Sequence, residues 1–253
     1  MSRKCEPSRR YRCYAEPSAW DGSRVALSAE EWHHLHRVLR AKAGDAVTVF
    51  DGQGREADAR ISSGGSGVLE TAGAVRTRKP PACTLILTQA LPKSRGMDGI
   101  VEKATELGVG VIRPIVSDRA IMRPDSSKRE ACGERWRRIA LNAARQCGTA
   151  WTPRVHPVEP FETALADVMR ADVVFLGCTD AGSAPLRLAM EQRAAPAPAT
   201  VGLMIGPEGD WTDDEVACAV AAGAIPVSFG SRILRVETAA LFGLSVLASR
   251  FLG

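Results

Sequence analysis

Two short stretches near the C-terminal end hold residue types from which a ligand site can be built. The first, Met204 to Val216, reads MIGPEGDWTDDEV; the second, Phe229 to Phe242, reads FGSRILRVETAALF. Each runs from an apolar, strand-like segment through glycine into a segment with helical spacing. Gly206 and Gly209 let the backbone approach a flat group closely, and Pro207 stiffens the turn between them. Glu208 and Asp210 carry the wrong charge to cradle a phosphate and suit a cationic or hydroxyl-bearing ligand better. In the second stretch Arg232 and Arg235 precede an apolar helix opened by Glu237 and Thr238, where partly buried charges need partners. Two such joints at neighbouring strand ends would enclose a small pocket.

Spacing argues against a nucleotide phosphate as the ligand. A P-loop needs G-x-x-x-x-G-K-[ST] and a dinucleotide site needs G-x-G-x-x-G, and no stretch of the chain fits either. The bland alternative, a tight turn from strand to helix, accounts for the glycines and for Thr212, whose hydroxyl with Glu215 reads as a capping box. It gives no reason for Glu208.

The elements that would carry these joints alternate from Cys83 onward. CTLILTQAL is a continuous apolar run, as in a strand buried on both faces of a parallel sheet. A helix through Met97, Ile100, Val101, Ala104 and Leu107 follows, then the strand VGVIRPIV, then a helix read as capped by Ser127 and Glu130 and stopped at Gly148. DVVFLG, a helix near Leu186 to Arg193, GLMIG, AIPVSFG and the final helix complete an α/β pattern with a mostly parallel sheet. In such sheets ligands sit beyond the carboxyl ends of the strands.

The first part of the chain reads differently. Ser28 and Glu31 form a capping box before a helix through Trp32, Leu35 and Leu39 that ends near Lys42. AVTVF, the turn Asp51 to Gly54, READARI and VLETAGAV are short strands with glycine-rich turns, which point to a small β-barrel bearing one helix. His33, His34 and His36 point apart on that helix and do not read as one metal site. TAGAVRTRKPP, Thr71 to Pro81, is the expected boundary, giving domains 1–76 and 77–253.

Composition fits this picture: 45% hydrophobic and 25% charged residues are those of a globular chain rather than a disordered one. The net charge of +4 permits an acidic partner such as RNA without demanding one. Seven scattered cysteines with no C-x-x-C read as reduced thiols, with no zinc site. No apolar run follows the basic N-terminus, and none is long enough to span a bilayer, so the expected location is the cytoplasm, with no membrane partner.

Taken together, IGPEGDWTDDE and FGSRILRVETA resemble the two C-terminal signatures of the SPOUT methyltransferases, and more narrowly those of the small-subunit rRNA uridine-N3 methyltransferase E family. HHLHRVLRAKAGDAVTVFDGQG resembles that family's N-terminal PUA-like β-barrel. LPKSRGMDGIVEKATELGVGVIRPIVSDRA and ERWRRIALNAARQCG resemble its central helices, so the likeness spans nearly the whole chain. The resemblance implies a C-terminal trefoil-knot domain, S-adenosyl-L-methionine as cofactor, a homodimer without metal, and N3-methyluridine in 16S rRNA of the small ribosomal subunit as product.

Carried onto this chain, the resemblance assigns cofactor binding to Leu176, Gly177, Gly206, Pro207, Glu208, Gly209, Phe229, Gly230, Ile233, Leu234, Glu237, Thr238 and Ala239. Arg235 is the expected catalytic residue, stabilising charge that develops on the uracil ring. RNA contacts are expected from Arg10, Arg37, Arg40, Lys93, Arg95, Arg123 and Arg145. Between Arg113 and Arg145 nine Lys or Arg face four Asp or Glu, although ordinary helix surface also explains such an excess. Three departures stand out. Asp210 and Trp211 occupy the usual Gly-Phe positions, Phe229 stands where leucine is usual, and Thr149 replaces an arginine, with Arg154 nearby. The rivals are the same fold acting on tRNA or 23S rRNA, and a non-catalytic RNA-binding assembly factor.

Overall fold

The computed structural model describes residues 11–64, 67–93, 96–179, 183–192 and 198–253. Arg10 and Arg95 therefore lie outside the described residues. The chain divides into two compact units, Met1–Pro80 with Ala144–Thr152, and Pro81–Ala143 with Pro153–Gly253.

The first unit is a curled sheet built from β1 (Tyr11–Tyr14), β2 (Trp20–Asp21), β3 (Arg24–Ala26), β4 (Ala46–Phe50), β5 (Arg55–Ile61), β6 (Val68–Thr71) and β7 (Arg76–Thr77). The strand order is β1-β4-β5-β6-β3-β2, with β7 also paired to β5. Among the described residues β1 and β2 are not paired to each other, so the expected barrel is a half-barrel. Alternation on β5 explains its fit: Ala57, Ala59 and Ile61 enter the core with Val47 and Val49 of β4, while Asp58 and Arg60 face out. The expected Asp51–Gly54 turn joins β4 to β5, and the Asp51 carboxylate accepts the backbone N–H groups of Gln53 and Arg55.

The helix expected after Ser28 is shorter than its spacing suggests. α1 (Ala29–His33) runs into a single π turn at His34–Val38. Ser28 does accept the Glu31 N–H at 3.1 Å. The Glu31 carboxylate, however, does not return to the cap. It accepts the Tyr14 N–H at 2.8 Å and pairs with Arg145, so only half of the capping box forms.

The second unit is an eight-stranded sheet in which every pairing is parallel. It comprises β8 (Thr84–Ala90), β9 (Val111–Val116), β10 (Arg154–Val155), β11 (Glu159–Pro160), β12 (Val173–Gly177), β13 (Ala184–Pro185), β14 (Thr200–Ile205) and β15 (Ile225–Ser228). Its order is β10-β9-β8-β14-β12-β15-β13, with β11 also on β9. The late strand β14 thus lies between two strands that precede it in the chain. Its register places Ile205 opposite Gln89 of β8 and Gly177 of β12, and Gly177 opposite Val227 of β15. The carboxyl ends of four strands are therefore level, which is where a parallel sheet offers a ligand crevice.

Helices cover both faces of this sheet. These are α2 (Gly96–Glu106), α3 (Ser126–Cys147), α4 (Phe161–Val168), α5 (Leu186–Gln192), α6 (Asp213–Ala221) and α7 (Val236–Phe251). On one face Ile100, Leu203, Leu244 and Leu247 share a core with Phe175; on the other Phe161, Leu176, Met204 and Trp211 share a second. Each fully buried side chain of this size stabilises the fold by about 1.5–3 kcal/mol, so both faces of β14 and β12 are strongly held. α7 packs against α2, β8 and β14. α3 is capped by Asp125, which accepts the Lys128 N–H at 3.0 Å, and not by Ser127 as its spacing suggested. Ser127 instead donates its own hydroxyl to Asp125. Gly108 and Gly148 leave their helices at φ +84, the left-handed conformation expected of a C-terminal glycine.

Candidate active site

A cleft of about 690 Å³ opens at the carboxyl ends of β12, β14 and β15. Three segments wall it: Gly177 to Thr179 after β12, Ile205 to Asp210 after β14, and Ser228 to Ala239 between β15 and the first turns of α7. The two glycine-marked joints are therefore brought together, although they lie more than twenty residues apart in the chain.

The Gly206-to-Thr212 loop is anchored on every side. The Glu208 carboxylate accepts the Lys93 N–H at 2.8 Å, tying the loop to the end of β8. Arg119 donates to the carbonyls of Gly209 at 3.0 Å and Trp211 at 2.7 Å. The indole N–H of Trp211 donates to the Gly177 carbonyl at 3.0 Å, and the ring is buried against Phe161. Behind the loop, Thr212 and Glu215 form the full capping box of α6. The other Glu215 oxygen accepts the Asp118 N–H at 2.9 Å. Acceptors thus meet loop N–H groups that would otherwise be orphaned.

Asp210 explains one departure from the family pattern. It takes φ +58, a left-handed conformation that Asp tolerates better than most residues. Its carboxylate accepts the Trp211 N–H at 2.9 Å, the Thr179 N–H at 3.0 Å and the Thr179 hydroxyl at 2.5 Å. Phe229 explains another: its ring packs against Gly177 and Gly243 and meets Phe242 edge-on at 5.9 Å between centroids.

Of the expected cofactor residues, Gly177, Gly206, Pro207, Glu208, Phe229, Gly230, Ile233, Leu234, Glu237 and Ala239 line the cleft, as does Arg235. Leu176 does not; it is fully buried in the core beneath. Gly209 faces Arg119, and Thr238 is exposed on α7 without lining the cleft. Glu237 presses its carboxylate against Gly96, the first residue of α2, where a negative charge complements the helix N-terminus. Arg235 is the N-cap residue of α7. Arg232 and Arg235 are both exposed rather than partly buried, and neither has an ion-pair partner among the described residues. Thr179, Cys178, Ser183, Ser228 and Ser231 in the lining, and Arg119 beneath it, were not legible in the chain, because single polar residues in loops carry no periodic signal.

The expected RNA residues scatter by role. Arg37 and Arg40 are exposed, and Arg40 lies at φ +59 just beyond the π turn. Lys93 is exposed next to Glu208. Arg123 turns back on its own loop, donating to the carbonyls of Ser117, Asp118 and Ala120. Arg145 pairs with the buried Glu31, its side chain only 14% exposed, so it braces the first unit instead of presenting charge to solvent. Thr149, in the place of a family arginine, accepts the Trp151 N–H within a turn. Among the described residues no group of three His, Cys, Asp or Glu could hold a metal ion, and no helix is long and apolar enough to cross a membrane.

Comparison with known proteins agrees with this geometry. Residues 78–248 match the RNA methyltransferase domain family, and residues 27–68 match the RNA methyltransferase PUA domain. The chain is 33% identical over 235 residues to the ribosomal RNA small subunit methyltransferase E of Synechocystis, covering 93% of this chain and 76% of that protein. A methyltransferase structure from Legionella pneumophila in complex with bound SAM superposes with a TM-score of 0.83 at 28% identity, covering 95% of this chain and 98% of the other. The Neisseria gonorrhoeae ribosomal RNA small subunit methyltransferase E bound to S-adenosyl methionine gives 0.80 at 26% identity, covering 95% and 97%. With its half-barrel, its parallel sheet and its cleft at the ends of β12, β14 and β15, the chain belongs to the SPOUT RNA methyltransferases and, within them, to the ribosomal RNA small subunit methyltransferase E family.

Proposed function

We propose that this protein transfers the methyl group of S-adenosylmethionine to N3 of a uridine in the 16S rRNA of the small ribosomal subunit, acting as a cytoplasmic homodimer without a metal. The observation that carries the reading is the cleft itself. Its volume lies within the range of about 300–1,000 Å³ usual for small-molecule sites. Its lining suits a charged nucleoside: Ile205, Phe229 and Leu234 offer apolar surface, backbone at Gly177, Gly206 and Gly230 offers hydrogen bonds, and the carboxylates of Glu208 and Glu237 suit a cationic group.

When bound, S-adenosylmethionine supplies an activated methyl group on a sulfonium. The chain's own residues then have three tasks: to hold the donor, to align the uridine and to stabilise charge on the ring. We assign the last to Arg235: it lines the cleft at the N-cap of α7, with no ion-pair partner among the described residues, and a guanidinium suits two flanking carbonyl oxygens. Arg37, Arg40 and Lys93 are exposed cations suited to phosphate contacts, with salt-sensitive binding as the consequence. The same reading assigns residues 1–76 to RNA binding and 77–253 to catalysis. It also threads the final helix through a trefoil knot, supported by β14 lying between β8 and β12 with α7 packed on β8 and β14. Phe242, 45% exposed, and Ile233, 88% exposed, supply apolar surface for a second copy.

The test is methyl transfer from labelled S-adenosylmethionine to small ribosomal subunits from cells lacking the endogenous enzyme, with the product nucleoside identified by mass. N3-methyluridine supports the proposal. Label in tRNA or 23S rRNA alone replaces the substrate, and a protein that fails to bind S-adenosylmethionine is an assembly factor instead.

A further inference from the structure

We infer that Asp210 is a positioning residue of the cleft, clasping the loop after β12 to the loop after β14 so that the mouth is formed before the cofactor arrives. The inference rests on the reading of the cleft as an S-adenosylmethionine site.

Asp210 and Arg40 are the two non-glycine residues with positive φ among the described residues. Holding an L-residue in that conformation costs free energy that a glycine would not, so the side chain must be needed for something. Its carboxylate receives three donors: the Trp211 N–H, the Thr179 N–H and the Thr179 hydroxyl. Two of the three come from the neighbouring loop, since Thr179 follows β12 while Asp210 follows β14, the strand paired with it. Hydrogen bonds to an ionised acceptor are about twice as strong as neutral ones. The turn beneath is closed by the Asp210 N–H donating to the Pro207 carbonyl at 2.9 Å.

A second tie lies deeper, where the Trp211 indole donates to the Gly177 carbonyl. The two loops are therefore fixed to each other at two points, one buried and one exposed. The exposed tie uses a side chain that glycine cannot supply. Because the carboxylate already serves three donors of the protein, it shapes the mouth and does not itself hold the ligand. Fixing a loop in its bound shape raises affinity by removing the ordering cost from the binding step.

The experiment uses the full chain, with S-adenosylmethionine affinity read by calorimetry, melting temperature by scanning, and kcat and KM by methyl transfer. Asp210→Gly relieves the positive φ and removes the clasp. It is expected to weaken cofactor binding about tenfold, to raise KM for the cofactor in step, and to leave kcat at saturation and the melting temperature near those of the parent. Asp210→Asn keeps an acceptor oxygen and tolerance of positive φ, and recovers most of the affinity. Thr179→Val removes only the hydroxyl donor and falls between. An Asp210→Gly protein that binds the cofactor as tightly as the parent overturns the inference while leaving the cofactor reading intact. So does one that loses melting temperature and kcat together, because the role is then structural, a result that Thr179→Val repeats if the glycine variant fails to fold. A parent protein that does not bind S-adenosylmethionine overturns both.

Discussion

The ring of Phe229 stands in the space that a side chain at Gly177 would need: a Cβ there would lie 2.8 Å from the ring atoms Cε2 and Cζ. The ring has little room to yield, because Gly243 of α7 is also near it, its own added Cβ falling 3.3 Å from Cε1. β12, β15 and α7 are thereby locked together by one aromatic side chain at the cleft. The ring accounts for Gly177, while a Cβ at Gly243 would first meet Leu203 Cδ2 at 2.8 Å and then the ring.

Gly177→Ala is therefore expected to destabilise the protein by about 1–3 kcal/mol, the usual cost of overpacking, and to weaken S-adenosylmethionine binding. Phe229→Leu, which restores the usual family residue, should relieve the clash. The double variant is then more stable than Gly177→Ala alone in urea unfolding. Additive effects would show that the two positions do not meet.

Arg119 holds two carbonyls of the loop after β14 from outside the cleft. Being exposed, its bonds are worth less than buried ones, so Arg119→Ala should cost about 1 kcal/mol. That is a fall of about 2–4 °C in melting temperature for a domain of this size. Cofactor affinity should fall as well, since Gly209 and Trp211 lose an anchor. An unchanged affinity would show that the Trp211 and Asp210 ties suffice.

Arg235→Ala separates binding from chemistry. With the guanidinium gone, kcat should drop about 10²–10³-fold, as on loss of one donor to a developing negative charge. Cofactor affinity should stay near that of the parent. Equal losses in both quantities would assign Arg235 to the cofactor instead.

His156 gives a pH signature away from the cleft. Burial and the neighbouring Arg113 hold its imidazole below the ordinary value of 6.5, against the opposing pull of Glu159. The unfolded chain takes up a proton near 6.5 while the folded one resists it. The contribution to stability is thus complete above 6.5 and lost as pH falls through the lower folded value. His156→Gln should flatten the decline in urea midpoint below pH 6.5. A decline of the same slope in the variant would place its origin in other groups.

Much of this was legible in the chain itself. Strands β8, β12 and β14 announced themselves as continuous apolar runs because they are buried on both faces. The glycines closing α2 and α3 marked their ends because only glycine takes positive φ without cost. The Thr212–Glu215 box was readable for a similar reason: its two partners lie three residues apart, and both of its bonds are local. The Ser28–Glu31 box has the same spacing and formed only in part, because Tyr14 and Arg145 compete for the Glu31 carboxylate from 17 and 114 residues away. The short strands β10, β11 and β13 went unseen, being two residues each.

The sequence by itself determined the kinds of element, the two glycine-marked joints and the absence of a phosphate-binding loop, since each depends on neighbours a few residues apart. Tertiary structure alone decided that β14 enters between β8 and β12, that Ala144–Thr152 joins the first unit, and that Arg145 and Arg123 turn inward while Arg235 has no ion-pair partner among the described residues. It also decided that Asp210 reaches Thr179. Hydrogen bonds and ion pairs between distant residues leave no period and no spacing in the chain, and they exist only once the fold has brought donor and acceptor to within about 3 Å.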